Sequence, residues 1–173
     1  MEKFFLEIPD KSHENAYNQM MNRWESIEAK INPSLLGRYS DKEKGNVPYS
    51  KWLEWCEDDR TTGSMLSTKV PCSLYFFVTD SGEILGAIEI NHANTHRGHL
   101  HAGIAPWNRG KGYGRIMLKM ALDKCREMKF DRVEICTGSD NIGAIKTIMH
   151  NGGRLIEEFW ENGICSHRYL IEL

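Results

Sequence analysis

Arg109-Gly110-Lys111-Gly112-Tyr113-Gly114 places three alternate glycines and two cations in six residues, between a stretch that reads as strand and one that reads as helix. Glycine keeps that stretch clear of side chains and admits backbone conformations closed to other residues, so several main-chain N–H groups can turn toward one point. At the positive end of a helix such a loop cradles an anion, and a diphosphate suits its reach. Arg109, Lys111 and Arg115 add formal charge beside it. The same residues would also serve a turn that only reverses the chain. Two familiar phosphate loops are excluded. The pattern G-x-x-x-x-G-K-[ST] fails because the only glycine-lysine, Gly110-Lys111, precedes Gly112; a dinucleotide fingerprint fails because Arg115 stands where its third glycine belongs.

Three side chains nearby are candidates for moving a proton. Glu89 lies in the alternating run Ile84 to Asn91, on one face with Leu85 and Ala87 and opposite Ile84, Ile88 and Ile90. It reads either as a general base or as a solvated carboxylate on an outward face. His99 and His101 share a face of the run His99 to Pro106, and an imidazole is poised for proton transfer at neutral pH. Each reads equally as a hydrogen-bonded or surface histidine. With His92 and His96 they form H-x3-H-x2-H-x-H, which raises zinc. Ligands four apart suit a helix, whereas these fall across a strand end and a turn, so no metal is assigned.

The pattern from Ile104 to Gly114 resembles the GNAT superfamily of N-acetyltransferases, whose signature R/Q-x-x-G-x-G/A follows a strand ending in an apolar residue and often proline. Asn141 and Ala144 meet the family's second signature, N-x-x-A, on the following helix, and the run NIGAIKTIMHNGG resembles a poorly characterised subgroup of predicted acetyltransferases. The resemblance implies an acetyltransferase using acetyl-coenzyme A as co-substrate, with Arg109, Gly110, Lys111, Gly112, Tyr113, Gly114 and Arg115 holding the pyrophosphate. It implies that Ala102, Gly103 and Ile104 pair their backbone with the pantetheine arm where the strand splays from its neighbour, and that Asn141 orients the arm's far side. Glu89, His99 and His101 become the catalytic candidates, for taking a proton from a small-molecule or peptide amine. Ile148 stands where many members place the tyrosine that protonates the leaving thiolate, so the acid is unassigned. A non-catalytic acyl-coenzyme A sensor on the same fold is the alternative.

The chain has 173 residues, one domain's worth, here read as a single domain over 1–173. Its 27% charged and 40% hydrophobic residues suit a soluble globular protein, and a net charge of −2 gives no electrostatic reason to expect nucleic acid. Five separated cysteines (Cys56, Cys72, Cys125, Cys136, Cys165) without a C-x-x-C pair read as buried thiols in a reducing compartment. With no signal peptide and no membrane-length apolar run, the expected location is cytoplasmic.

Hydrophobic spacing places helices at about 12–31, from Pro48, at 112–128 and at 141–150. Strand runs fall at Lys3 to Ile8, Ser73 to Val78, Ile84 to Asn91, His99 to Pro106, Arg132 to Thr137, Leu155 to Trp160 and His167 to Ile171, and a polar loop at Gly37 to Asn46. On the second helix Tyr49, Trp52 and Trp55 read as core or, less simply, as an acceptor wall. The order β-α-α-β-β-β-α-β-α-β-β predicts an α/β (α+β) fold, a mixed central sheet of about seven strands with helices on both faces. The final hairpin supplies edge strands suited to a homodimer.

Overall fold

The strand-period runs pair as antiparallel ladders in the structure, a computed structural model that describes residues 2–37, 47–63 and 70–173. In chain order the elements are β1 (Phe4–Glu7), α1 (Glu14–Glu25), α2 (Tyr49–Thr62), β2 (Cys72–Thr79), β3 (Ile84–Asn91) and β4 (Leu100–Ile104). Then follow α3 (Tyr113–Glu127), β5 (Arg132–Gly138), α4 (Ile142–His150), β6 (Arg154–Glu161) and β7 (Ile164–Glu172). From residue 38 onward the expected polar loop lies outside the described residues. The strands form two sheets, in the orders β1-β2-β3-β4 and β5-β7-β6, every pair antiparallel. The mixed layer read from the sequence is thus divided. Between β4 and β5 the links are a bridge at Gly98 and Ile135 and a bond from the His99 N–H to the Glu134 carbonyl, both ahead of β4.

Alternation along β2 sends Leu74, Phe76 and Val78 into one core with α1 and α2, and Phe77 into the other with α3 and α4. Tyr49 and Trp52 are core: both are buried, with Trp52 stacked on Tyr17 and Phe76. On β3 a register shift opposite Phe77 and Val78 inserts Leu85 as an extra residue. The shift corrects the face assignment: Leu85 joins Ile88 and Ile90 in the second core, and Ile84 joins Ala87 in the first.

The first helix also ends earlier than its apolar spacing suggests. It stops at Glu25, where the Ser26 hydroxyl donates to the Arg23 carbonyl at 2.7 Å, a local bond that competes with helix continuation. Ile27 is consequently 54% exposed, and Leu35 and Leu36 enter the core in its place. Residues 26–37 therefore cross the sheet as an irregular segment. The Asn32 carbonyl lies so close to Gly103 that a Cβ there would sit 2.0 Å from it.

Candidate active site

Within β4 the hydrogen-bonding direction alternates. Asn91 donates to the His99 carbonyl and Ala105 donates to the Leu85 carbonyl, so the odd-numbered residues of β4 bond to β3. The main-chain groups of Ala102 and Ile104 therefore face the other way, toward an edge with no partner strand among the described residues. Gly103 points its own groups back at β3, so the open edge offers two residues rather than three. At its far end the Ile104 carbonyl accepts from Arg109 Nε at 2.9 Å.

Beyond that edge the chain turns through Pro106–Asn108 and enters the glycine loop. Gly110 and Gly112 have φ of +77° and +84°, the left-handed region that favours glycine, and a Cβ on either would project into open space. Gly112 caps α3, and the first intrahelical bonds are those from Arg115 and Ile116 to its carbonyl. The N–H groups of Gly112, Tyr113 and Gly114 lie ahead of those bonds at the positive helix end. The Asn108 amide nitrogen is buried there without a partner among the described residues. Open-facing amides, a clear concavity and a helix N-terminus fit a diphosphate. A groove of about 580 Å³ continues along α3 past Arg115 and Lys119 to His150 at the end of α4 and Asn151 just after it.

The three cations are not equivalent. Lys111 donates to the Asn108 side-chain oxygen at 3.1 Å, and Arg115 donates to His150 Nε2. Arg109 instead grips Glu28 with both terminal nitrogens, at 2.5 and 3.0 Å. Glu28 also accepts from the Trp24 indole at 2.6 Å, and the Arg109 guanidinium holds its carboxyl below the usual carboxylate range. Sequence reasoning missed this partner. Glu28 is 81 positions away on a polar turn, and no periodicity marks it.

The proton-transfer candidates separate by environment. Glu89 and His101 are cross-strand partners, so their side chains share the face of the sheet on the α1 side. Glu89 is only 2% exposed and accepts from the Leu35 N–H, so it is no solvated surface carboxylate. His99 does not join them: its Nδ1 accepts from the Glu134 N–H at 3.0 Å and its ring packs on Phe130. The ring of His101 has no hydrogen-bond partner among the described residues. Burial pushes its pKa down to about 4, helped by Arg97 and His96. His92 pairs with Ser73, and among the described residues no three His, Cys, Asp or Glu side chains converge as a metal site.

Asn141 accepts from the Ala144 N–H at 3.1 Å, capping α4 and leaving its amide nitrogen for a ligand. Ile148 is 3% exposed in the second core. The hydroxyl of Thr147 lies 3.5 Å from where a Gly114 Cβ would stand, against the first turn of α3. Burial raises the Cys136 thiol, which makes it a poor nucleophile.

The sequence model of the acetyltransferase (GNAT) family matches residues 24–152. The chain belongs to the GNAT acetyltransferase family. No curated protein sequence matches it. Solved GNAT-like structures superpose along nearly its whole length. The yncA protein of Salmonella typhimurium, solved with its cofactor acetyl-CoA, is 17% identical at a TM-score of 0.63 and covers 98% of this chain and 93% of its own. Mutant forms of the spermidine/spermine N-acetyltransferase SpeG from Vibrio cholerae are 16% identical at a TM-score of 0.62, covering 98% and 93%. A domain from Methanocaldococcus jannaschii is 14% identical at 0.64 and covers both chains fully. At such identities the likeness establishes the GNAT fold: seven strands with helices on both faces.

Proposed function

We propose that this GNAT protein is a cytoplasmic N-acetyltransferase that moves an acetyl group from acetyl-coenzyme A to a primary amine by direct attack in a ternary complex. The observation that carries the reading is the continuity of the open β4 edge, at Ala102 and Ile104, with the amide cradle at Gly110 to Gly114. A ligand that is strand-like along its arm and anionic at its diphosphate is what such a surface complements. The bound group supplies a thioester, an acyl centre already activated toward amines.

The chain's own residues supply the rest. The Ile104 and Ala102 N–H groups, on the outward side of β4, are the donors for negative charge developing on an acyl oxygen. His101 is the general base: its ring, neutral at physiological pH and without a hydrogen-bond partner among the described residues, takes the proton that an already neutral amine sheds as the C–N bond forms, directly or through one water. Glu89 holds the Leu35 N–H and with it the segment that walls this side of β4. His99 is held as an acceptor by the Glu134 amide, which leaves it a structural role. No covalent step is needed, and the raised Cys136 thiol offers none. With Ile148 in place of a hydroxyl, the coenzyme leaves as thiolate, which a thiol pKa of about 8.5 allows.

A thiol-release measurement with acetyl-coenzyme A and a panel of amines, including spermidine and a lysine-bearing peptide, tests the reading. Turnover with one of them is expected, together with saturable coenzyme A binding. Binding without turnover on any amine would favour a non-catalytic acyl-coenzyme A module, the reading that buried Ile148 supports. Two copies would pair along β6, an open edge with Trp160 at 73% exposure, and sedimentation of the wild type against Trp160→Lys reports that pairing.

A further inference from the structure

Resting on that reading of the cradle, we propose that Glu28 sets how tightly the chain holds its acyl donor, by masking the charge of Arg109 beside the diphosphate site. Among the described residues Arg109 is the one cation of the 109–115 loop that is paired with a carboxylate; Lys111 meets an amide oxygen and Arg115 an imidazole. The masking is well placed. Arg109 Nε on the Ile104 carbonyl pins the guanidinium where the β4 edge runs into the glycine loop, the point at which an arm lying on that edge reaches its phosphates.

Glu28 is itself positioned for this. The turn after α1 carries it over the loop, the Trp24 indole fixes one carboxylate oxygen, and Arg23 stacks on Trp107 with its guanidinium 4.1 Å from the ring centre. The Arg109 and Glu28 side chains are 49% and 31% exposed, so the pair contributes little to fold stability. Its influence on a polyanion held by the adjoining loop is larger, because each unit of negative charge there opposes the phosphates. Restrained donor affinity has a use, since the coenzyme product carries the same diphosphate and must leave before the next turnover.

Calorimetric titration of coenzyme A into the wild type, Glu28→Gln and Glu28→Asp tests the proposal. Gln keeps an acceptor for the Trp24 indole and loses the charge together with the oxygen that accepts from Arg109 Nη1. Glu28→Gln is expected to bind about five-fold more tightly at low salt, with the gap closing at high salt as screening takes over. Glu28→Asp, which keeps the charge, is expected to titrate like the wild type. A Gln variant that binds equally or more weakly, or an Asp variant that matches Gln, overturns the proposal while leaving the cradle intact. A wild type that binds no coenzyme A overturns the cradle reading itself, whatever Glu28 does.

Discussion

At the residue scale the proposed chemistry assigns the proton to His101 and the diphosphate to the glycines of the loop. Removing the imidazole as His101→Gln is expected to lower kcat by about 10²-fold, with coenzyme A affinity unchanged. A calorimetric affinity that falls together with kcat would make His101 a structural residue instead. Because burial pulls the His101 pKa to about 4, its loss of basicity lies well below the ordinary 6.5. The rate profile is therefore expected to show no acid limb near 6.5, and the amine's own deprotonation governs the rise at alkaline pH. In the cradle, Gly112→Asn suits the left-handed φ of +84° better than most side chains and should still bind coenzyme A. Gly112→Asp adds a negative charge at the same place, and its affinity should fall steeply while the melting temperature stays with that of the Asn variant. Equal affinities of the two would separate the loop from the phosphates.

Elements place those residues, and their boundaries show what the sequence could reveal. The ends of β3 and α3 are legible because alternation, periodicity and glycine punctuation agree there. The face of Glu89 relative to Leu85 is not, since one extra residue in β3 breaks the alternation after Ile84 without any mark in composition. The end of α1 is misjudged for a related reason. Ile27 and Ile31 continue the helical spacing, but the chain leaves the helix after Glu25: Ile27 is exposed, Ile31 packs against the core only in part, and Leu35 and Leu36 are buried within it. Strands β6 and β7 extend beyond their expected bounds because the edge strand is largely solvated, so apolar alternation fades where pairing continues. The crossing of residues 26–37 over β4 yields its own prediction. Gly103→Ala places a methyl group 2.0 Å from the Asn32 carbonyl, so strand and segment must part. The expected cost is about 1–3 kcal/mol in urea unfolding, with weaker coenzyme A binding as β4 moves. A variant as stable as the wild type would mean that the segment does not lie against the strand.

For the whole molecule, the division into two antiparallel sheets is what opens the β4 edge on which the proposed site depends. A continuous sheet would satisfy the outer groups of Ala102 and Ile104 with a neighbouring strand; parting β4 from β5 leaves Ala102 and the Ile104 N–H without a strand partner among the described residues, the Ile104 carbonyl being taken by Arg109. The two cores on either side of β2 and β3 hold the halves in place, and the histidines near the gap link stability to pH. Burial lowers the pKa of both His99 and His101 below 6.5, so the unfolded chain binds more protons than the folded one as pH falls from there. Their contribution to stability is present above about pH 6.5 and is lost on acidification toward the folded value of about 4 for His101. Thermal melts between those limits should therefore fall with pH, less steeply in His101→Gln. An identical slope in the variant would place the linkage elsewhere.

Main-chain groups form the proposed cradle and arm site, and amide resonances report them one by one. When coenzyme A is titrated into ¹⁵N-labelled protein, the amides of Gly110 to Gly114, Ala102 and Ile104 are expected to shift most, with Gly103, bonded inward to β3, moving less. Shifts centred on other elements, or a spectrum unchanged by the coenzyme, would contradict that assignment.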